Sequence, residues 1–255
     1  AGSSTGGRCA CIYELNPLFS LYLLVQVESD RVCWNLKDLR ENTVEQGCLP
    51  FEILSLEQLD ALILDIHHRY PRLKAAAAGI AALVNHGVVE ETNQYIGLKG
   101  LNLEEHFRRL VPIPMTVGND MNFLTMGGNG IGGGMVINGR LWTGASGYCS
   151  EVGFLPVYER LNKGSLGLPP AEHISELYAR LIQIYAVTVN PHMMVLYRHP
   201  LLEGRLDEIR RLCASYLPSK AIPSIELSYD YQQDYEKGLF TVAKSMGQAV
   251  SEGGL

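Results

Sequence analysis

Residues Cys11 to Val27 form a nearly continuous run of β-branched, aromatic and leucine side chains, and Val32-Cys33-Trp34 resumes it after the polar Ser29-Asp30-Arg31. A strand, a turn and a second strand follow from that pattern. Beyond Pro50, Ser55-Leu56-Glu57-Gln58 has the form of a capping box, and Leu56, Leu59, Leu62, Ile63 and Ile66 recur at helical spacing until Pro71; this predicts an amphipathic helix. The apolar run Ala75 to Val84 ends in Asn85-His86-Gly87, as a buried strand delivering a polar loop would. Leu103 to Arg109 reads as a short helix, Pro112 to Val117 as a strand, and Gly118-Asn119-Asp120 as its polar exit. Further on come a glycine-rich hairpin, Gly127 to Gly139, and a helix over Pro170 to Tyr185 with Ile174, Leu177, Leu181 and Ile184 on one face. A strand near Met193 to Leu196 and helices over Leu206 to Tyr216 and Gln233 to Met246 complete the pattern. Strands that alternate with helices and end in polar residues predict an α/β protein with ligands held beyond the carboxyl ends of the strands. No internal repeat or low-complexity linker interrupts the chain. The expected division is a flexible end or tag remnant at 1–7, an N-terminal α/β lobe at 8–118, and a C-terminal α/β lobe at 119–255 carrying the glycine-rich hairpin.

Composition narrows this picture. Of 255 residues, 47% are hydrophobic and 19% charged, which suits a folded globular chain and excludes bulk disorder. The net charge of −6 offers no basic footprint for a nucleic acid. The longest apolar stretch, Leu15 to Val27, is broken by Asn16, Pro17, Ser20 and Gln26, so neither a membrane span nor a signal peptide is expected. Six scattered cysteines (Cys9, Cys11, Cys33, Cys48, Cys149 and Cys213) have no zinc spacing and read as reduced, mostly buried thiols of a cytoplasmic protein. The histidines, among them His67-His68, His106 and His173, likewise lack ligand spacing with acidic residues.

Glycine is the informative excess, because the 26 glycines concentrate between Gly127 and Gly153. Successive glycine amides can line a concavity that favours phosphate oxygens, and the same residues can equally serve a tight strand hairpin, with Asn138-Gly139 a second turn signal. No Lys-Ser/Thr follows, and Met135-Val-Ile137 stands where a dinucleotide fold would need a helix. Asn119-Asp120 places a carboxylate beside an amide at a strand exit, a pairing suited to holding an alcohol and taking its proton; Asx residues there also form plain turns. Glu151 is a single acidic group in an otherwise apolar and glycine-bearing segment, hence a partnered core carboxylate or a ligand holder.

Three of these segments, in order, carry a family resemblance: Gly118-Asn119-Asp120-Met121-Asn122, then Gly130-Ile-Gly-Gly-Gly-Met-Val-Ile-Asn-Gly-Arg-Leu141, then Gly144-Ala-Ser-Gly-Tyr-Cys-Ser-Glu-Val-Gly153. Together they resemble the ROK family of bacterial sugar kinases and sugar-responsive repressors, and Ala78-Gly-Ile80, Val84 to Val89 and Gly97 to Glu105 keep the family's order upstream. The match spans roughly Ala75 to Pro156. It implies the two-lobed, actin-like ATPase fold shared with hexokinases and Hsp70, and a homodimer. It also implies that Asn119, Asp120 and Glu151 bind a sugar, with Asp120 at the place of the kinase base. Asn85, His86 and Gly87 would border the sugar pocket, and Gly130, Gly132, Gly133 and Gly134 would lie in the second phosphate loop.

The departures from the family bear on activity. Its first hairpin carries an Asp-x-Gly-Gly-Thr phosphate loop, and the corresponding place here is read as Glu14-Leu-Asn-Pro-Leu18, where proline removes an N–H and the glycines and threonine hydroxyl are lost. Glu-x-Gly-His becomes Glu151-Val-Gly-Phe154, and neither the zinc-binding cysteine cluster nor the second sugar glutamate has a counterpart. Tyr197-Arg-His-Pro200 replaces the adenosine-side glycines, and the stretches after Asn122 and Pro156 are short for the family. The expectation is a catalytically impaired, sugar-recognising protein, such as the effector-binding part of a ROK-type transcriptional regulator whose DNA-binding segment is absent from this chain. It would carry no cofactor and no zinc. The alternatives are a sugar kinase with a divergent nucleotide loop, which would need ATP and Mg²⁺, and a structural dimerisation module.

Overall fold

The structure is a computed structural model that describes residues 14–92, 94–119, 132–137, 140–157 and 170–252. Its first sheet begins with β1 (Leu21–Val27), β2 (Arg31–Lys37) and β3 (Thr43–Pro50), an antiparallel meander. After α1 (Leu56–Arg69), β4 (Leu73–Ile80) returns parallel to β1. The short hairpin of β5 (Leu83–Asn85) and β6 (Val88–Glu91) and the helix α2 (Leu103–Leu110) then lead to β7 (Met115–Asn119), parallel to β4, giving the order β3-β2-β1-β4-β7. All seven residues of β1 are buried because both faces of the sheet are covered. Leu23, Val25 and Val27 pack under α1 and α2, while Tyr22 and Leu24 face the opposite way.

The second half holds a small ribbon of β8 (Val136–Ile137) and β9 (Arg140–Leu141), then α3 (Ile174–Thr188), β10 (Met193–Tyr197), α4 (Leu206–Tyr216) and β11 (Ser224–Ser228). Strands β10 and β11 pair in parallel, and a separate core gathers Leu177, Ile182, Leu196 and Ile209. The last helix, α5 (Tyr231–Glu252), returns to the first sheet, where Leu239, Phe240 and Ala243 pack on Tyr22, Leu24, Ala75 and Ala77. A cut at residue 118 therefore separates α5 from the sheet it covers.

Local chemistry explains most of the elements. Ser55 and Gln58 form the capping box reciprocally, and Leu59, Leu62, Ile63 and Ile66 are the buried stripe of α1. Two strands escape the hydrophobic pattern, β3 because as an edge strand it is mostly exposed, β11 because only Ile225 of its five residues is fully buried. The expectation of reduced thiols fails at one pair: Cys33 and Cys48 stand opposite each other in the β2–β3 register and form a disulfide. Scattered in sequence, the two sulfurs are brought together by strand pairing alone. Cys149 and Cys213 are free. No helix among the described residues is long and apolar enough to cross a membrane.

Candidate site between the two halves

At the carboxyl ends of the parallel strands, Ile80 of β4 and Asn119 of β7 are register partners. Asn119 is 7% exposed, and its Nδ2 donates to Ala82 O at 2.8 Å and to Glu151 Oε1 at 3.3 Å. Glu151 is half-buried and precedes a 3₁₀ turn, Val152–Phe154, whose Val152 belongs to the second core. A carboxylate rooted in the second half thus meets an amide rooted in the first. Burial pushes the Glu151 carboxyl above its usual range, since desolvation penalises the charged form.

The loop that carries Glu151 is seated by close packing. Gly147 has φ +80°, and a Cβ there would lie 2.9 Å from Val84 O and 3.6 Å from Asn85 Cβ, so only glycine lets this loop rest on β5. Asn85 is thereby brought beside the Glu151 loop, with its Nδ2 donating to Glu90 Oε1 at 2.9 Å. His86 (φ 47°) and Gly87 (φ 78°) are the central residues of a two-residue turn joining β5 to β6. Where a single strand running to Val84 is the expectation, the chain instead forms β4 and then this hairpin. His86 is exposed, whereas Gly87 O accepts from Leu103 N at 2.8 Å and so anchors the start of α2.

Of the glycine segment, Gly132, Gly133 and Gly134 are half-buried and lie before β8. A Cβ on Gly133 would meet Ser150 O at 3.0 Å and Tyr185 Oη at 3.3 Å, so packing against the Glu151 loop already accounts for that glycine. Asp120 and Gly130 lie outside the described residues. Tyr185, which the sequence reading treats only as a helix end, stands against this loop; burial raises its phenol, the Ser150 hydroxyl lowers it, and the charges of Cys149 and Glu151 raise it. Its signal in the sequence is a polar-tipped ring four residues after Leu181 on the buried stripe of α3.

The expected position of the first phosphate loop needs correction. Glu14 to Leu18 precede β1, and Pro17–Phe19 form a 3₁₀ turn capped by Asn16. The first hairpin turn is Glu28-Ser29-Asp30: Glu28 N donates to Arg31 O at 2.9 Å, and Arg31 Nε pairs with Asp30 at 2.8 Å and Glu28 at 3.3 Å. This turn also lacks glycine and threonine, and its two carboxylates are the wrong sign for a phosphate. On the far side, Tyr197 of Tyr197-Arg-His-Pro200 is 8% exposed and donates to Asp234 Oδ2 at 3.0 Å, which fills space at the end of β10 with a ring. Among the described residues, no group of three or more His, Cys, Asp or Glu side chains is arranged to hold a metal ion.

No protein-family model and no curated protein matches the sequence. Solved structures do match in fold. A ROK family transcriptional regulator, a homolog of the E. coli MLC protein, aligns with TM-score 0.71 at 17% identity over 91% of this chain and 80% of its own. A ROK family protein from Streptococcus pneumoniae, in complex with sucrose, gives 0.65 at 15% identity over 87% and 97%. A ROK family glucokinase from Streptomyces griseus, in complex with glucose and AMPPNP, gives 0.58 at 14% identity over 89% and 100%. The chain has the ROK-type, actin-like ATPase fold.

Proposed function

We propose that this protein binds a sugar where Asn119 meets Glu151 and does not transfer phosphate to it. The observation that carries the reading is the Asn119 Nδ2 to Glu151 Oε1 contact of 3.3 Å between the two halves. A sugar hydroxyl inserted there can accept from the amide and donate to the carboxylate, an exchange open to ligands rich in adjacent hydroxyls. Sugar complexes of neighbours with this fold, one with glucose and one with sucrose, support the ligand class. Against phosphoryl transfer stand the glycine-free turn Glu28-Ser29-Asp30 and the ring of Tyr197, because nucleotide phosphates need preorganised amides and Mg²⁺ more than they need a base. Within that reading Asp120 is a further sugar ligand, and the protein acts as the effector-binding part of a regulator.

Thermal shift with a panel of hexoses and N-acetylhexosamines, with and without MgATP, tests this, because a bound ligand stabilises in proportion to its occupancy. At least one sugar should raise the melting temperature. Glu151→Ala and Asp120→Ala should each weaken that sugar about tenfold or more, as loss of a charge-assisted hydrogen bond does. ADP release with any sugar, or stabilisation by MgATP alone, would establish the kinase reading instead, with Asp120 as base.

A further inference from the structure

The loop that carries Glu151 has left-handed residues at three-residue intervals: Gly144 (φ 73°), Gly147 (φ 80°) and Ser150 (φ 70°). Glycine adopts that region freely, so the third position is the unusual one, with a Cβ and a hydroxyl where glycine would meet no steric cost. Directly after it, Glu151 has φ −71° and ψ 76°, and Val152 N donates to Ser150 O at 2.8 Å, which makes Glu151 the centre of an inverse γ-turn. Neither residue lies in a helix or strand that would fix its direction. Whatever holds Ser150 left-handed therefore also aims the Glu151 carboxyl at Asn119 Nδ2, 3.3 Å from its Oε1.

The holding groups come from outside this loop. Tyr185 of α3 packs against the second core and is hydrogen-bonded at its phenol by the Ser150 hydroxyl. Gly133 makes the room, because a Cβ there would lie 3.0 Å from Ser150 O, 3.3 Å from Ser150 Cβ and 3.3 Å from Tyr185 Oη. Serine, phenol and glycine thus converge on one point behind Glu151. We propose that Ser150 and Tyr185 are positioning residues for the sugar site, their contact keeping Ser150 left-handed and the Glu151 carboxyl on Asn119. The inference rests on the reading of Glu151 as a sugar ligand, and it makes a side chain of α3 a determinant of affinity.

Carbon-detected NMR titration of Glu151 reads the aim without any ligand, since burial holds this carboxyl above the ordinary glutamate range. Tyr185→Phe keeps the ring and removes the hydroxyl, whereas Ser150→Ala keeps the Cβ and removes the hydroxyl's partner. Each should bring the Glu151 pKa back toward the ordinary range, with the circular dichroism unchanged. The Tyr185 phenol, itself raised by burial, is uncharged throughout that range, so removing it acts through the position of the carboxyl. Glycine needs no support at φ 70°, and the double variant Tyr185→Phe/Ser150→Gly should therefore recover the wild-type titration. A purely structural role of the phenol would give no such rescue. In calorimetric titration with glucose, Tyr185→Phe should bind about tenfold more weakly than wild type, the scale of one lost hydrogen bond. The proposal is overturned if either single variant leaves the Glu151 titration unchanged, if adding Ser150→Gly fails to restore it, or if Tyr185→Phe binds glucose as tightly as wild type. Glucose binding by none of these proteins would count against the sugar reading alone, because the titration decides the aim of Glu151 separately.

Discussion

Asn119 and Glu151 illustrate how little separates a structural from a ligand-holding residue. Asn119 Nδ2 is shared between Ala82 O at 2.8 Å and Glu151 Oε1 at the longer 3.3 Å, so the second contact is the one a ligand can displace at small cost. The raised Glu151 carboxyl has a consequence for stability. A carboxyl with a folded pKa above its unfolded value contributes most below the ordinary glutamate range, and that contribution is lost as pH rises through the folded pKa. Glu151→Gln keeps an acceptor for Asn119 without the charge. Its melting temperature should rise relative to wild type as pH climbs above the ordinary glutamate range and then level off; a gap independent of pH would show that burial of the charge has no effect. Gly147→Ala is expected to cost about 1–3 kcal/mol in urea denaturation, since a side chain at φ +80° adds backbone strain to a contact with Val84 O.

At the scale of elements, β3 is an edge strand with little burial of its own, held to the sheet by backbone pairing with β2, by the disulfide and by an acidic anchor. Cys33 and Cys48 are 15 residues apart, so Cys48→Ser should lower stability by about 3 kcal/mol in non-reducing urea titration, the entropy of a loop of that length. The anchor is Glu45, which accepts from both Arg69 and Tyr70 at the end of α1, with Tyr70 Oη at 2.6 Å. Chiefly the Arg69 hydrogen bond, then that of Tyr70, holds the Glu45 carboxyl down at about 2. Carbon-detected NMR titration should find Glu45 ionised well below the ordinary glutamate range, and Arg69→Ala should move it back up. A depressed carboxylate stabilises above its unfolded pKa, so the support Glu45 gives β3 is lost as pH falls toward about 2.

For the whole molecule, α5 decides the architecture. It is the last element of the chain, yet it covers the first sheet, and Leu239 at 0% exposure sits against Tyr22 and Leu24. Leu239→Ala should cost about 2–5 kcal/mol, the usual range for a fully buried leucine, with the loss read by chemical denaturation. The return of α5 also sets Gln232 and Glu236 against Gln26 and Asn35 at its amino-terminal turns, on the face of the sheet opposite Asn119.

Much of this was legible along the chain. The capping box at Ser55 and Gln58, the stripe of α1, the helices at Leu103 and Leu206 and the polar strand exit at Asn119 are local patterns, and local propensity with period specifies them without reference to distant residues. The order of the glycine-bearing segments likewise pointed to the ROK-type fold that the solved structures share. What is read from pairing was not: β3 and β11 bury too little to leave a period, and Cys33 met Cys48 only through a strand register. The contact of Asn119 with Glu151, and that of Gln26 with Gln232, depend on residues far apart in the chain, with Gln26 and Gln232 separated by 206. Sequence periodicity specifies which face of an element is apolar; which two faces meet, and therefore which polar groups are left to bind something, is settled by packing alone.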